Sequence, residues 1–239
     1  MSEGFEAKGF DTSAPGMPAA RWDDWAGQAP EWVPPRAQVV IVAPHPDDET
    51  LGAGGLISTC ARNSTKVTVI SVTDGEAACP EVPALDGIRR RELVSAMREL
   101  ELAPSDILRL GLPDGALAAH EVELAQSLAK CIPAGAVLVA PFEFDGHPDH
   151  EAVGRACKSA AHQQGLTLVR YPIWAWHRGC AELFRERHGV RFMLDDRAQQ
   201  AKRRALAEHR SQLGERPGGA IVPAHVLEYF NRPYEVFLL

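Results

Sequence analysis

The chain reads as an α/β protein: a three-layer fold with a mostly parallel sheet and helices on both faces. Three observations carry that reading. Short apolar, largely β-branched runs, Val39-Val40-Ile41-Val42-Ala43 above all, show no polar alternation. A strand buried on both faces reads that way. Segments with apolar residues at helical spacing lie between these runs, and loops of charged residues and chain breakers follow them. Strands that alternate with helices imply βαβ units, and ligands of such Rossmann-like sheets sit at the carboxyl ends of the strands.

The elements follow in order. Residues 1–36 carry Gly, Pro and Ala with Trp22, Trp25 and Trp32. They are expected as an irregular arm laid on a domain formed by residues 37–239, by packing or near the site or a subunit interface. Val39 to Ala43 is the first strand. Thr50 to Ala61 is a helix opened by Glu49-Thr50, and Val67 to Val72 a second strand that ends at Asp74-Gly75. Residues 87–102 place Ile88, Leu93, Met97 and Leu100 on one helical face. Ile107 to Leu110 is a third strand, stopped by Pro113-Asp114-Gly115. A helix over 119–131 leads to a fourth buried strand, Ala136 to Ala140. Asp149 to Gln163 is a helix and Leu166 to Trp174 a strand. Asp195 to Leu213 is one long charged helix, with two acids at its start where the dipole favours them. The apolar tail 228–237 is expected to dock as an edge strand.

Bulk composition excludes several classes. With 25 Lys and Arg against 32 Asp and Glu, the net charge is −7, which is not the basic footprint of a nucleic-acid binder. Arg89-Arg90-Arg91 and Lys202-Arg203-Arg204 are short runs that read as helix faces. Five scattered cysteines with no Cys-x-x-Cys make neither a disulfide framework nor a thiolate zinc site. Reduced thiols point to a cytoplasmic protein. The first 35 residues lack the pattern of a signal peptide, and no apolar run approaches the ~18 residues of a membrane span. Homo-oligomerisation is left open.

The chemistry concentrates at strand ends. His45 follows the first strand, Asp74 the second, Asp114 the third and His147 the fourth. His45, Asp47 and Asp48 lie within four residues of one another. Such groups conflict unless a divalent cation reconciles neutral imidazole with ionised carboxylate. His147-Pro148-Asp149-His150 brings more donors of the same kind. Histidine and carboxylate without thiolate suit zinc, with iron(II) or cobalt as alternatives. Gly52-x-Gly54-Gly55 misses the dinucleotide fingerprint and reads as close helix packing. No Gly-x-Ser-x-Gly nucleophile motif occurs.

From Gln38 to Gln212 the chain resembles the LmbE/PIG-L family of zinc-dependent N-acetylglucosamine-type deacetylases. The resemblance rests on Ala43-Pro44-His45-Pro46-Asp47-Asp48-Glu49 and His147-Pro148-Asp149-His150. Thr73-Asp74-Gly75-Glu76, Arg89-x-x-Glu92-x-x-x-Ala96, Leu112-Pro113-Asp114-Gly115 and His209-Arg210-Ser211-Gln212 add to it. It implies His45, Asp48 and His150 as zinc ligands and Asp47 as general base. It further implies a protonated His147 that assists the oxyanion or the leaving amine. Asp149 is expected to orient His147, and Arg89 and Asp114 to contact substrate hydroxyls. The implied substrate is a small N-acetyl amino sugar or glycoconjugate. Rival readings are a metal-dependent amidase on a non-sugar N-acyl substrate and a non-catalytic sugar- or metal-binding relative. The aromatic run around Trp174 and Trp176 suits either a sugar platform or core packing.

Overall fold

A computed structural model describes residues 16–179, 181–214 and 220–239. The start of the predicted arm and Cys180 therefore lie outside the described residues. In chain order the helices and strands are α1 (Ala20–Gln28), β1 (Val39–Ala43), α2 (Asp48–Arg62), β2 (Val67–Ser71), α3 (Leu85–Glu99), β3 (Ile107–Arg109), α4 (Glu121–Cys131), β4 (Val137–Pro141) and α5 (Pro148–Gln164). Then come β5 (Thr167–Tyr171), α6 (Ala175–Arg178), α7 (Ala181–Glu186), β6 (Gly189–Met193), α8 (Asp196–Glu208), α9 (Arg210–Leu213), α10 (Ala224–Leu227) and β7 (Tyr234–Leu238).

One sheet runs in the order β3-β2-β1-β4-β5-β7-β6. The first five strands pair in parallel, and β7 runs antiparallel to both β5 and β6. Every residue of β1 is buried, and its pleat divides them between two cores. Val39 and Ile41 join Leu56, Ile57, Leu93 and Met97 on one face. Val40 and Val42 join Leu124, Leu128, Val153 and Cys157 on the other. Each such aliphatic side chain contributes about 1.5–3 kcal/mol by leaving water, so the central strands are fixed before any polar contact is counted. The glycines of α2 let it sit close: a Cβ on Gly52 would lie 2.3 Å from the Tyr171 ring, and one on Gly55 would lie 2.4 Å from Leu194.

Four expectations are corrected. Within the segment expected to be irregular, residues 20–28 form a helix, because Trp22, Trp25 and Ala26 repeat at helical spacing and are buried. Trp22 stacks on Phe184 with ring centres 4.7 Å apart, and its Nε1–H donates to the Trp176 carbonyl at 3.0 Å. The tail strand is not at an edge. Val236, Phe237 and Leu238 are buried, so β7 is interior, and β6, with half-exposed Arg191 and exposed Met193, takes the edge. The long charged helix is broken at His209 into α8 and α9. Lys202 in the basic run is no solvated face residue: it is buried, with Nζ 2.7 Å from Glu235 Oε1 and 2.7 Å from the Leu51 carbonyl.

Cys60, Cys79, Cys131 and Cys157 are free thiols. Among the described residues no helix is long and apolar enough to cross a membrane.

Candidate metal centre and active site

Strand order reverses between β1 and β4: β1 continues to β2 on one side, while β4 leads to β5 on the other. Loops that leave adjacent parallel strands in opposite directions open a crevice at their carboxyl ends. The β1 loop presents His45, Pro46 and Asp47 there, and the β4 loop presents Asp145, Gly146 and His147. Asp48 and His150 stand in the first turns of α2 and α5.

Three donor atoms converge in the crevice. His45 Nδ1 lies 3.2 Å from Asp48 Oδ2, His150 Nε2 lies 3.2 Å from the same oxygen, and the two nitrogens are 3.3 Å apart. A tetrahedral ion with bonds of about 2.0–2.1 Å separates its donors by ~3.3 Å. All three side chains are nearly buried, and together they form a group that could hold a metal ion. Their charges agree. Burial opposes the charge of Asp48, yet His150 and His45 hold it below the usual carboxylate range. Burial also lowers His150, but Asp48 and Asp145 outweigh it and push the imidazole up to about 9. The triangle thus demands positive charge at its centre. A divalent cation would supply that charge and displace any imidazole protons.

The outer nitrogens of both histidines are engaged. His45 Nε2 lies 3.0 Å from Asp114 Oδ1 and 3.3 Å from Asp149 Oδ2. Asp114 Oδ2 accepts the Ala77 N–H at 2.8 Å, and Asp149 accepts those of Gly115 at 2.8 Å and Leu117 at 3.1 Å. The carboxylate of Asp149 therefore engages His45, and one of its oxygens also falls within 4.8 Å of a His147 ring nitrogen. Asp149 also meets His147 through its backbone N–H, which donates to His147 Nδ1 at 3.2 Å because His147 caps the start of α5. Asp114 likewise spends one oxygen on His45 while still lining the cavity.

Asp145 is the site residue that the sequence reading missed. Its Oδ2 lies 2.8 Å from His150 Nδ1. The same carboxylate accepts the backbone N–H groups of Ile173, Trp174 and Ala175 at 2.8, 3.0 and 3.0 Å. The available signal was its place two residues before His147 in the β4 loop.

Asp47 stands beside the triangle with its carboxylate outside it. Its backbone has φ 148°, a region that side-chain-bearing residues rarely enter, and such strain clusters at functional sites. Its carboxylate lies 3.3 Å from Arg89 Nη2, and its N–H donates to Glu49 Oε2 at 3.1 Å. Burial is the largest influence on the Asp47 carboxyl. Arg89 offsets part of that, and the balance lifts it to about 6. Arg89 also donates to the carbonyls of Gly75 at 3.1 Å and Pro46 at 3.0 Å. A Cβ on Gly75, which has φ 67°, would lie 2.2 Å from the guanidinium. That contact explains the glycine in Thr73-Asp74-Gly75-Glu76.

His147 is not the cation expected of it. Burial, then repulsion from His150 and His45, pushes it down to about 3. Because Nδ1 accepts a backbone N–H, the neutral ring carries its proton on Nε2. His147, the donor triangle, Asp47, Arg89 and Asp114 line one cavity of about 210 Å³, closed on its apolar side by Leu51, Trp174, Ile221 and Val222. Trp174 thus reaches the site, whereas Trp176 packs in the aromatic cluster with Trp22 and Phe184.

Fold and site define an α/β protein with a His/Asp/His group suited to a metal ion at its switch point. Residues 40–161 match the family model for PIG-L, the GlcNAc-PI de-N-acetylases, and the chain belongs to that family. It is 30% identical over 140 residues to a Bacillus subtilis (strain 168) protein named probable N-acetyl-alpha-D-glucosaminyl L-malate deacetylase 2. That match covers 54% of this chain and 62% of the relative, so the chain spans about three fifths of the length of that relative. Among solved structures it resembles the A40926 pseudoaglycone deacetylase, with a TM-score of 0.66, 22% identity and coverage of 85% of this chain and 97% of that one. The N,N'-diacetylchitobiose deacetylase of Pyrococcus horikoshii gives a TM-score of 0.57 at 22% identity, over 74% and 71% of the two chains. Both likenesses establish the fold.

Proposed function

We propose that the protein is a metal-dependent hydrolase that removes the acetyl group from an N-acetylated amino sugar or glycoconjugate. One observation carries the reading. Asp47 is a buried, strained carboxylate beside a three-donor group and outside it, in a cavity that His147 also lines. A binding module needs the donors but neither Asp47 nor His147. The curated relatives and the solved structures cited above, all bearing deacetylase names, support the same reading.

His45, Asp48 and His150 would hold the ion. The donor set, without thiolate, favours zinc, with iron(II) as the alternative. Such an ion supplies a water acidified from a pKa of ~15.7 towards ~7 and polarises the acetyl carbonyl. Asp47 takes a proton from the attacking water, with Arg89 holding its carboxylate in place. The neutral His147 donates its Nε2–H to the developing oxyanion, and a preorganised donor of this kind is a large catalytic contribution. The C–N bond breaks, the proton held by Asp47 passes to the amine, and acetic acid leaves, giving its remaining proton to the solvent to become acetate. Asp149 and Asp114 hold His45, and Asp145 holds His150. Arg89 and Asp114 line the cavity wall, and their contact with sugar hydroxyls belongs to this proposal. We take residues 37–239 as the catalytic domain, with the described part of the preceding arm, residues 16–36, laid on it, and its free thiols accord with the cytoplasm.

The test is acetate release by the zinc-reconstituted protein from a panel of N-acetyl amino sugars and non-sugar N-acyl amides. Release from the sugars, abolished by chelation, is expected. Release from the amides alone would overturn the sugar assignment, and a flat result on both would overturn the hydrolase reading.

A further inference from the structure

His209-Arg210-Ser211-Gln212 has no part in the chemistry above, yet it sits against it. His209 occupies the break between α8 and α9, with 1% of its surface exposed. Its Nε2 lies 3.2 Å from Thr50 Oγ1 and 3.6 Å from Glu49 Oε1. Thr50 has one hydroxyl proton and donates it to Glu49 Oε1 at 2.6 Å. The hydroxyl must therefore accept from His209, which places a proton on Nε2. Glu49, fully buried, spends its other oxygen on the backbone N–H of Asp47 at 3.1 Å. A hydrogen-bond chain thus links the His209 ring through Thr50 to Glu49, which accepts from Thr50 at one oxygen and from the backbone of Asp47 at the other.

We propose that His209 is a positioning residue for Asp47, acting through Thr50 and Glu49. A backbone at φ 148° persists only where its surroundings over-determine it. Asp47 is held from two sides. Arg89 on α3 grips its carboxylate, and the His209 chain grips its N–H. The two grips share one anchor. Ser211 donates its N–H and hydroxyl to Glu92, one turn beyond Arg89 on α3, at 2.8 and 2.6 Å. The α8–α9 corner is thereby locked to the helix that carries Arg89. His209 is an expensive filler, since its Nδ1 is buried without a hydrogen bond among the described residues. An apolar side chain would occupy the same space at less cost, so the work lies at Nε2. The catalytic consequence rests on the reading of Asp47 as base. The positional one does not.

The experiment compares wild type with His209→Ala, His209→Gln and Thr50→Val, all zinc-loaded. Amide hydrogen exchange of Asp47 is read against that of Ile41 in β1 in the same sample. Loss of the chain should speed Asp47 exchange relative to Ile41 by ~10-fold or more in H209A and T50V. His209→Gln, whose side-chain amide can still donate to Thr50, should restore protection. With N-acetyl sugar as substrate, H209A and T50V should lose kcat with KM little changed, and H209Q should recover it. An unchanged exchange ratio in H209A overturns the proposal, as does a change in T50V without one in H209A. If the zinc-loaded wild type releases no acetate, the deacetylase reading falls and the exchange ratio still decides the role of His209.

Discussion

Asp145 Oδ2 takes His150 Nδ1 at 2.8 Å, and that contact decides which nitrogen of His150 faces the donor triangle. The carboxylate is itself fixed by three backbone N–H groups at the β5–α6 turn, so the ring has one orientation. Partners of this kind tune ligand basicity, and their loss typically weakens metal affinity by about 10- to 100-fold. Asp145→Asn should weaken zinc binding by that order in a chelator-competition titration. His150→Ala should abolish stoichiometric zinc. An Asp145→Asn variant with wild-type affinity would show that the contact does not matter to the site.

The pH dependence of turnover follows from Asp47. Its carboxyl is lifted to about 6, chiefly by burial, with Arg89 opposing. Only the ionised form accepts a proton. Activity should therefore be full above the folded-state pKa and fall as pH drops through it, about tenfold per unit. A cation in the neighbouring triangle favours the ionised form, so the acid limb of kcat/KM should lie at or below about 6. A limb above neutrality would exclude Asp47 as its source. The stability sign is the reverse. A carboxyl raised in the folded state stabilises the metal-free fold fully below the unfolded pKa of ~3.9 and loses that contribution as pH rises through about 6.

The close seat of α2 gives a test that touches no ligand. A Cβ on Gly52 would lie 2.3 Å from the buried Tyr171 ring, whose hydroxyl donates to the Val42 carbonyl at 2.8 Å. The ring cannot swing away without breaking that bond. Gly52→Ala should cost about 1–3 kcal/mol, seen as a lower midpoint in urea unfolding of the metal-free protein. An unchanged midpoint would mean that helix and sheet separate more easily than the packing implies.

Most of the fold is legible in the sequence because β1 and β4 are apolar on both faces, which leaves few alternatives for Val39 to Ala43 or Val137 to Pro141. The donors are legible for a related reason: ionisable residues directly after such strands have little structural use. What escapes the sequence depends on contacts between distant segments. Gly-Val-Arg-Phe-Met of β6 looks like loop until β7 pairs with it. The helix over Ala20–Gln28 is masked by the flanking Pro and Gly and fixed by Trp176 and Phe184. Asp149 is four positions from Asp145 and adjacent to His150, yet it serves His45, 104 residues away. Spacing along the chain favours neighbours, and here the crossing of two loops overrides it.

The division of labour inside His45-Pro46-Asp47-Asp48 is the centre of this account, and Asp47→Asn tests it most directly. The measurement is bound zinc per chain together with acetate release from an N-acetyl amino sugar on the same purified sample. Removing a general base typically costs 10²- to 10⁴-fold, a range of about that order here, while the donor triangle is left whole. One zinc per chain with turnover reduced to that extent is the predicted result. Loss of the zinc would make Asp47 a ligand, and retained turnover would take the base elsewhere; either result contradicts the account.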